Sequence, residues 1–130
     1  MYYKHIFFDL DRTLWDFESN SNEALSELFK EFQLKKKGVE SLDAFIKKYK
    51  MHNEILWDQY RNGNLNKDVL RSKRFLLTLN DFNIKNFELS KQLGEKYVEI
   101  CPLKTNVFPF VYDVLDYLSP KYLLYIITNF

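Results

Sequence analysis

Two short runs of strand-forming residues stand at opposite ends of the sequence, with nothing comparable between them. His5-Ile6-Phe7-Phe8 closes on Asp9-Leu10-Asp11, and Tyr122-Leu123-Leu124-Tyr125-Ile126-Ile127 closes on Thr128-Asn129. Each run is short, rich in β-formers and apolar at successive positions, which predicts strands buried on both faces, as in a parallel sheet. Parallel neighbours need a crossover connection, and here the crossover takes up almost the whole chain.

The connection reads as a series of helices. Asn20 with Glu23 predicts a capping box, with Leu25, Leu28, Phe29 and Phe32 on one face after it. Gly38 and Ser41 mark a break, and a second face runs through Leu42, Phe45, Ile46, Tyr49, Asn53, Leu56 and Tyr60 to Arg61. Asn62-Gly63-Asn64 is a turn, and Asn66 is suited to cap a third helix through Val69, Lys73, Leu76, Leu77 and Asn80. A fourth runs from about Phe87 to Ile100, with Leu89, Leu93 and Tyr97 inward, until Pro102 stops it. A fifth, from about Pro109 to Leu118, leads into the second strand, Pro109 suiting a first turn. Apolar faces of this kind bury most simply against one another as an antiparallel bundle. The predicted fold class is α/β, a partial parallel-sheet core with an inserted α-helical bundle.

Composition narrows the function. A net charge of +1 gives no electrostatic case for nucleic acid or a membrane surface as partner, and Lys35-Lys36-Lys37 reads as a solvated helix end or loop. No stretch approaches the roughly 18 apolar residues of a membrane span. The single cysteine, Cys101, precludes an internal disulfide, and a cytoplasmic location is expected. His5 and His52 are the only histidines. Both read as structural or exposed, and Cys101 as a small buried hydrophobe rather than a nucleophile.

The segment that carries chemistry is Phe7-Phe8-Asp9-Leu10-Asp11-Arg12-Thr13-Leu14. Ligands of open parallel sheets bind beyond the carboxyl ends of the strands, where this acidic pair falls. Residues two apart on an extended backbone point to one side, so Asp9 and Asp11 are candidates for one site. Two neighbouring carboxylates are costly unless they share a cation or a proton. The plainer alternative is that Asp-x-Asp at a strand end only makes a turn. Against it, Thr128 and Asn129 put a hydroxyl and an amide at the end of the other strand, suited to hold a phosphate oxygen.

Four apolar residues followed by Asp-x-Asp-x-Thr-Leu resemble the first motif of the haloacid dehalogenase superfamily, and Ile126-Ile127-Thr128-Asn129 resembles its second. The insertion after the first strand is similar in place and size to the superfamily's helical C1 cap. The resemblance therefore implies a core of residues 1–15 and 103–130 and a cap of residues 16–102. Asp9 through Glu18, with Leu56, Trp57, Tyr60, Gly63 and Arg74-Phe75, looks closest to the branch of 5'-nucleotidases that prefer pyrimidine and non-canonical nucleotides. The implied chemistry is Mg²⁺-dependent phosphate monoester hydrolysis. Asp9 would be the nucleophile that forms an aspartyl-phosphate, and Asp11 the acid and then the base. The implied Mg²⁺ ligands are the Asp9 carboxylate and the Asp11 carbonyl, with Thr128 and Asn129 on the phosphoryl group and Thr13 bracing the loop. Superfamily dehalogenases lack the second aspartate, so Asp11 favours phosphatase chemistry.

The superfamily's third and fourth motifs, a lysine and a further carboxylate, find no match in the chain, and the glycine expected after Asn129 is replaced by Phe130. The expectation is a fragment or a shortened chain with little or no turnover by itself. The implied substrate is a small phosphorylated metabolite, a nucleotide in the branch just named and a sugar phosphate as the alternative. In C1-capped enzymes the cap covers the leaving group, which makes Trp15, Phe17 and the Asn62 to Arg74 region candidate contacts. The aromatics are equally explained as core, and Arg71 and Arg74 as surface charges. From other classes, a receiver-type phospho-acceptor would alternate strands and helices, and a helical interaction module would leave Asp9 and Asp11 without a role.

Overall fold

β1 (His5–Asp9) and β2 (Leu123–Ile127) pair in parallel, His5 opposite Leu123 and Asp9 opposite Ile127, in a computed structural model that describes residues 2–128. Between them lie α1 (Phe17–Glu31), α2 (Leu34–Lys37), α3 (Leu42–Arg61), α4 (Lys67–Asn80), α5 (Phe87–Ile100), a 3₁₀ turn (Cys101–Leu103) and α6 (Val111–Leu118). Among the described residues no strand other than isolated bridges interrupts this helical series, which is not the alternating order of a receiver domain. The chain divides into two compact units, Met1–Ser21 with Lys104–Phe130, and Asn22–Leu103.

In the first unit the sheet departs from the expected double burial. Phe7, Leu123, Tyr125 and Ile127 share one face and are all exposed, Phe7 at 59%. Ile6, Phe8 and Leu124 on the other face are half-buried, while Ile126 at its end is exposed. Parallel sheets are dry on both sides only where helices cover both, and the one helix of this unit after the crossover, α6, can cover one. Phe7 and its register partner Tyr125 stack at 4.9 Å, so the open face is covered in part by its own rings. Pro109 lies before α6 rather than in its first turn, because Phe110 at φ 69° takes the cap position in left-handed backbone.

Polar contacts close the first unit where its two chain segments meet. The expected capping box at Asn20 does not form. The helix begins a turn earlier, Asp16 accepting from the Ser19 amide at 3.2 Å and from its hydroxyl at 2.7 Å. Asn20 is instead fully buried. Its Oδ1 accepts from the backbone and side-chain nitrogens of Asn106 at 2.9 and 2.8 Å, and its Nδ2 donates to the Asn106 carbonyl at 2.9 Å. The same carbonyl takes the Asp16 amide at 3.0 Å.

In the second unit α4 packs against both α3 and α5, and the helix limits follow local signals. Ser41 and Asn66 cap α3 and α4 by accepting from the Ala44 and Val69 amides, and Asn86 does the same for α5 at Leu89. The interior holds Leu25, Leu28, Phe45, Tyr49, Leu56, Leu70, Phe75, Leu79, Leu93 and Tyr97. The face expected for α4 is out of phase: Val69 is 45% exposed, and Leu70, Arg74, Phe75, Thr78 and Leu79 point inward. Arg74, expected at the surface or against a leaving group, is 5% exposed. Its guanidinium lies 4.7 Å from the Tyr97 ring centre and 5.6 Å from that of Tyr49, and it donates to Asn53 Oδ1 at 3.1 Å. Aromatic faces attract the cation and replace part of its lost hydration. Burial pushes the Tyr49 phenol above its ordinary range, against the pull of Arg74. Cys101 is buried, as expected of a small hydrophobe, and His52 Nε2 meets Asp81 Oδ2 at 2.7 Å.

α5 lies close against α4 at Gly94, where an added Cβ would lie 2.7 Å from the Arg71 carbonyl oxygen. Gly94→Ala gains about 1 kcal/mol of helix propensity but forces two backbones apart. Overpacking of this kind costs roughly 1–3 kcal/mol, so a net loss is expected, seen as a lower urea midpoint by far-ultraviolet circular dichroism. Asn20→Ala removes a fully buried polar side chain and leaves the backbone and side-chain N–H groups of Asn106 without their acceptor. It is expected to destabilise the first unit by about 1–3 kcal/mol, read from hydrogen exchange at Asn106.

Candidate active site

The register of the sheet decides what meets at its carboxyl edge. Asp9 is the last paired residue of β1 and faces Ile127 of β2, and the Leu10 amide adds one more bond to the Ile127 carbonyl at 3.3 Å. Thr128 follows directly and is exposed. Parallel strands end on the same side, so Asp9 and Thr128 sit at adjacent strand tips. Asn129 lies outside the described residues.

Beyond Asp9 the chain winds round one acceptor. The Leu10 carbonyl takes the amides of Thr13, Leu14 and Trp15 at 3.4, 3.0 and 2.9 Å, while the Arg12 amide returns to the Trp15 carbonyl at 3.0 Å. To make this turn Arg12 adopts φ 64°, left-handed backbone that disfavours a residue with a Cβ by roughly 1–2 kcal/mol. The Thr13 hydroxyl donates to Asp9 Oδ2 at 3.1 Å, which orients the carboxylate and leaves Oδ1 without a described partner. The Asp11 carbonyl accepts no hydrogen bond from a described group. The exposed Asp9 carboxylate and this carbonyl of half-buried Asp11 are therefore two oxygen donors open to a ligand.

Trp15, a candidate leaving-group contact from the sequence, instead helps to hold the loop in place, through partners the sequence did not single out. Trp15 Nε1 donates to the Lys104 carbonyl at 2.8 Å, Trp15 bridges both Asp11 and Val107, and the Phe108 amide reaches the Leu14 carbonyl at 3.1 Å. Trp15 is thus a brace with its polar end committed. Phe17 meets Trp15 edge-on at 6.1 Å between ring centres, and the Arg12 guanidinium lies 4.6 Å over the Phe17 ring. The legible signal for Asn20 was an amide on the apolar stripe it shares with Ala24; nothing local marks Asn106.

Among the described residues no three His, Cys, Asp or Glu side chains gather as a metal-binding group. Two open hollows, of about 530 Å³ between α4 and α5 and about 500 Å³ beside Lys4, His5 and Lys121, include neither Asp9 nor Asp11. The first is lined by the mixed charges Asp68, Arg71, Lys91 and Glu95, and the second lies at the amino end of the sheet, away from the acidic loop. No described helix is long and apolar enough to cross a membrane.

No family model matches the chain. It is 30% identical over 130 residues to the pyrimidine 5'-nucleotidase PynA of Streptococcus pneumoniae, the match covering 99% of this chain and 52% of that protein. It is 26% identical over 128 residues to the protein named HAD-hydrolase YfnB of Bacillus subtilis, covering 98% of this chain and 51% of that one. The chain thus spans about half the length of the curated relatives it matches. The crystal structure of YfnB bound to magnesium superposes with a TM-score of 0.84 at 24% identity, over 98% of this chain and 53% of that one. A 2-haloacid dehalogenase from Pseudomonas syringae superposes with a TM-score of 0.54 at 25% identity, over 98% and 56%. With its α/β fold, its Asp-x-Asp-x-Thr loop at a parallel strand tip and these relatives, the chain belongs to the haloacid dehalogenase superfamily of hydrolases.

Proposed function

We propose that this chain carries the nucleophile side of a Mg²⁺-dependent phosphate monoester hydrolase that acts in the cytoplasm on nucleoside 5'-monophosphates through an aspartyl-phosphate at Asp9. The observation that carries the reading is the in-register parallel pairing of β1 and β2, with Asp9 opposite Ile127 and Thr128 next in the chain. A carboxylate and a hydroxyl at neighbouring strand tips suit in-line attack on a phosphoryl group, for which positioning and charge neutralisation are the main needs. The name of PynA supports the nucleotide class. In this reading the unit Asn22–Leu103 is the C1 cap and the other unit the catalytic core.

The donors available fit a hard cation. Mg²⁺ takes an octahedral oxygen shell, keeps several waters and commonly binds one or two carboxylates plus substrate phosphate. It therefore does not require a cluster of three protein side chains. The Asp9 carboxylate and the Asp11 carbonyl, both open, would hold it. When bound it would screen the repulsion between the anionic nucleophile and the anionic ester.

The residues then divide the work. An Asp9 oxygen bonds to phosphorus as the ester P–O bond breaks, and the Asp11 carboxyl gives its proton to the departing alcohol oxygen. Asp11, now a carboxylate, takes a proton from water, whose oxygen attacks phosphorus, and inorganic phosphate leaves as Asp9 is freed. Thr13 keeps Asp9 aimed through its 3.1 Å hydrogen bond. Thr128 donates to a phosphoryl oxygen, aided by the Asn129 backbone. A dehalogenase has no alcohol to protonate and no use for Asp11 in this role, so the likeness to a 2-haloacid dehalogenase is carried by fold alone.

Phosphate release from an aryl phosphate is expected to vanish with a metal chelator and with Asp9→Asn. Asp11→Asn should lower it by about 100-fold or more, the usual size of general acid–base assistance. Release that is indifferent to Asp9→Asn removes the assignment. Among substrates, nucleoside monophosphates are expected to outrun sugar phosphates in kcat/KM; equal values would remove the nucleotide class and leave the phosphatase.

A further inference from the structure

We infer that Arg12 is an anion-binding residue of this site, contacting a substrate phosphoryl oxygen with a guanidinium kept extended by the ring of Phe17. The inference rests on the phosphate-ester reading for the kind of anion it would take.

Three observations meet at this residue. First, Arg12 occupies left-handed backbone at φ 64°, where glycine is at home, immediately after Asp11. A long cationic side chain is an unfavourable choice for such a position unless the side chain is used. Second, the segment from Asp9 to Glu18 holds four carboxylates, Asp9, Asp11, Asp16 and Glu18, and Arg12 is its one cation. Arg12 nevertheless forms no ion pair and no side-chain hydrogen bond with a described residue. Third, its guanidinium is parked 4.6 Å over the Phe17 ring. Stacking engages the flat face of the group and leaves its N–H donors at the edge uncommitted, the edge that pairs bidentately with phosphate. A cation held by an aromatic face loses less freedom on meeting an anion than one swinging in solvent. In a loop so rich in carboxylates it also offsets the repulsion that an anionic ester meets on approach.

The probe is inorganic phosphate in the presence of Mg²⁺, titrated calorimetrically into the purified chain. Arg12→Ala is expected to weaken binding about tenfold, the scale of one charge-assisted contact, with Arg12→Lys recovering part of the loss. Phe17→Leu, which removes the ring and keeps the bulk, should weaken binding by about threefold, within the range of one exposed cation–π contact. Arg12→Gly should lose phosphate affinity while its melting temperature stays level or rises, since glycine takes the backbone angle freely. A purely structural Arg12 predicts the opposite pair of results, a lower melting temperature with unchanged affinity, and would overturn the inference. A wild-type chain that binds no phosphate would overturn it too. Hydrolysis lost in Asp9→Asn with phosphate affinity unmoved in the Arg12 variants removes this inference alone. Arg12-dependent phosphate binding without Asp9-dependent hydrolysis removes the phosphatase reading and leaves the anion site.

Discussion

The parallel pairing of β1 with β2 is the contact on which the candidate site depends. It joins the two ends of the described chain, aligning Asp9 with Ile127. Bringing such distant segments together carries a loop-closure cost that grows only slowly with length, so a long helical insertion is tolerated if the closing contacts are good. They are mainly backbone hydrogen bonds, extended at one end by Leu10 to Ile127 and at the other by Leu123 to Lys4. A shift of one residue in this register would move Asp9 away from Thr128 and turn each side chain to the opposite face.

Polar groups, not a large apolar core, fasten the rest of the first unit. The Leu10 carbonyl gathers three amides into the loop that follows Asp9, and Trp15 ties that loop to the carbonyl of Lys104. Asn20 and Asn106 then satisfy one another reciprocally where α1 meets the returning chain. Buried amides are tolerable when nearly every donor and acceptor is used, and here the geometry also fixes which segment lies beside which. Directional bonds suit a site in which a carboxylate must be aimed, because apolar packing alone would permit small rotations of the loop.

The helical unit follows a different rule. Its helices are set by end caps and periodic apolar residues, and the absence of a side chain at Gly94 lets α5 approach the Arg71 carbonyl. Arg74 shows how a charged residue joins such an interior: Tyr49, Phe75 and Tyr97 surround its guanidinium, and Asn53 takes one of its protons. The Tyr49 and Tyr97 rings also pack on each other at 5.5 Å, so removing Arg74 would disturb aromatic packing as well as charge.

Much of this was legible in the sequence. The two strands, the limits of α3 and α5, the break at Ser41, the cap at Asn66 and the acidic pair at a strand tip all follow from local signals: periodicity, turn chemistry and the preference of short polar side chains for helix ends. The bracing role of Thr13 came from the family resemblance. What the amino-acid order could not supply was the partner of a residue far away along the chain. Asn20 looked like a cap because its mate, Asn106, gives no local sign of itself; the face read for α4 through Val69, Lys73 and Leu76 left out Arg74, whose aromatic surroundings come from other helices. The open face of the sheet and the left-handed Arg12 belong to the same class. Propensities act over a few residues, whereas burial, register and the pairing of buried polar groups are settled only when distant segments meet.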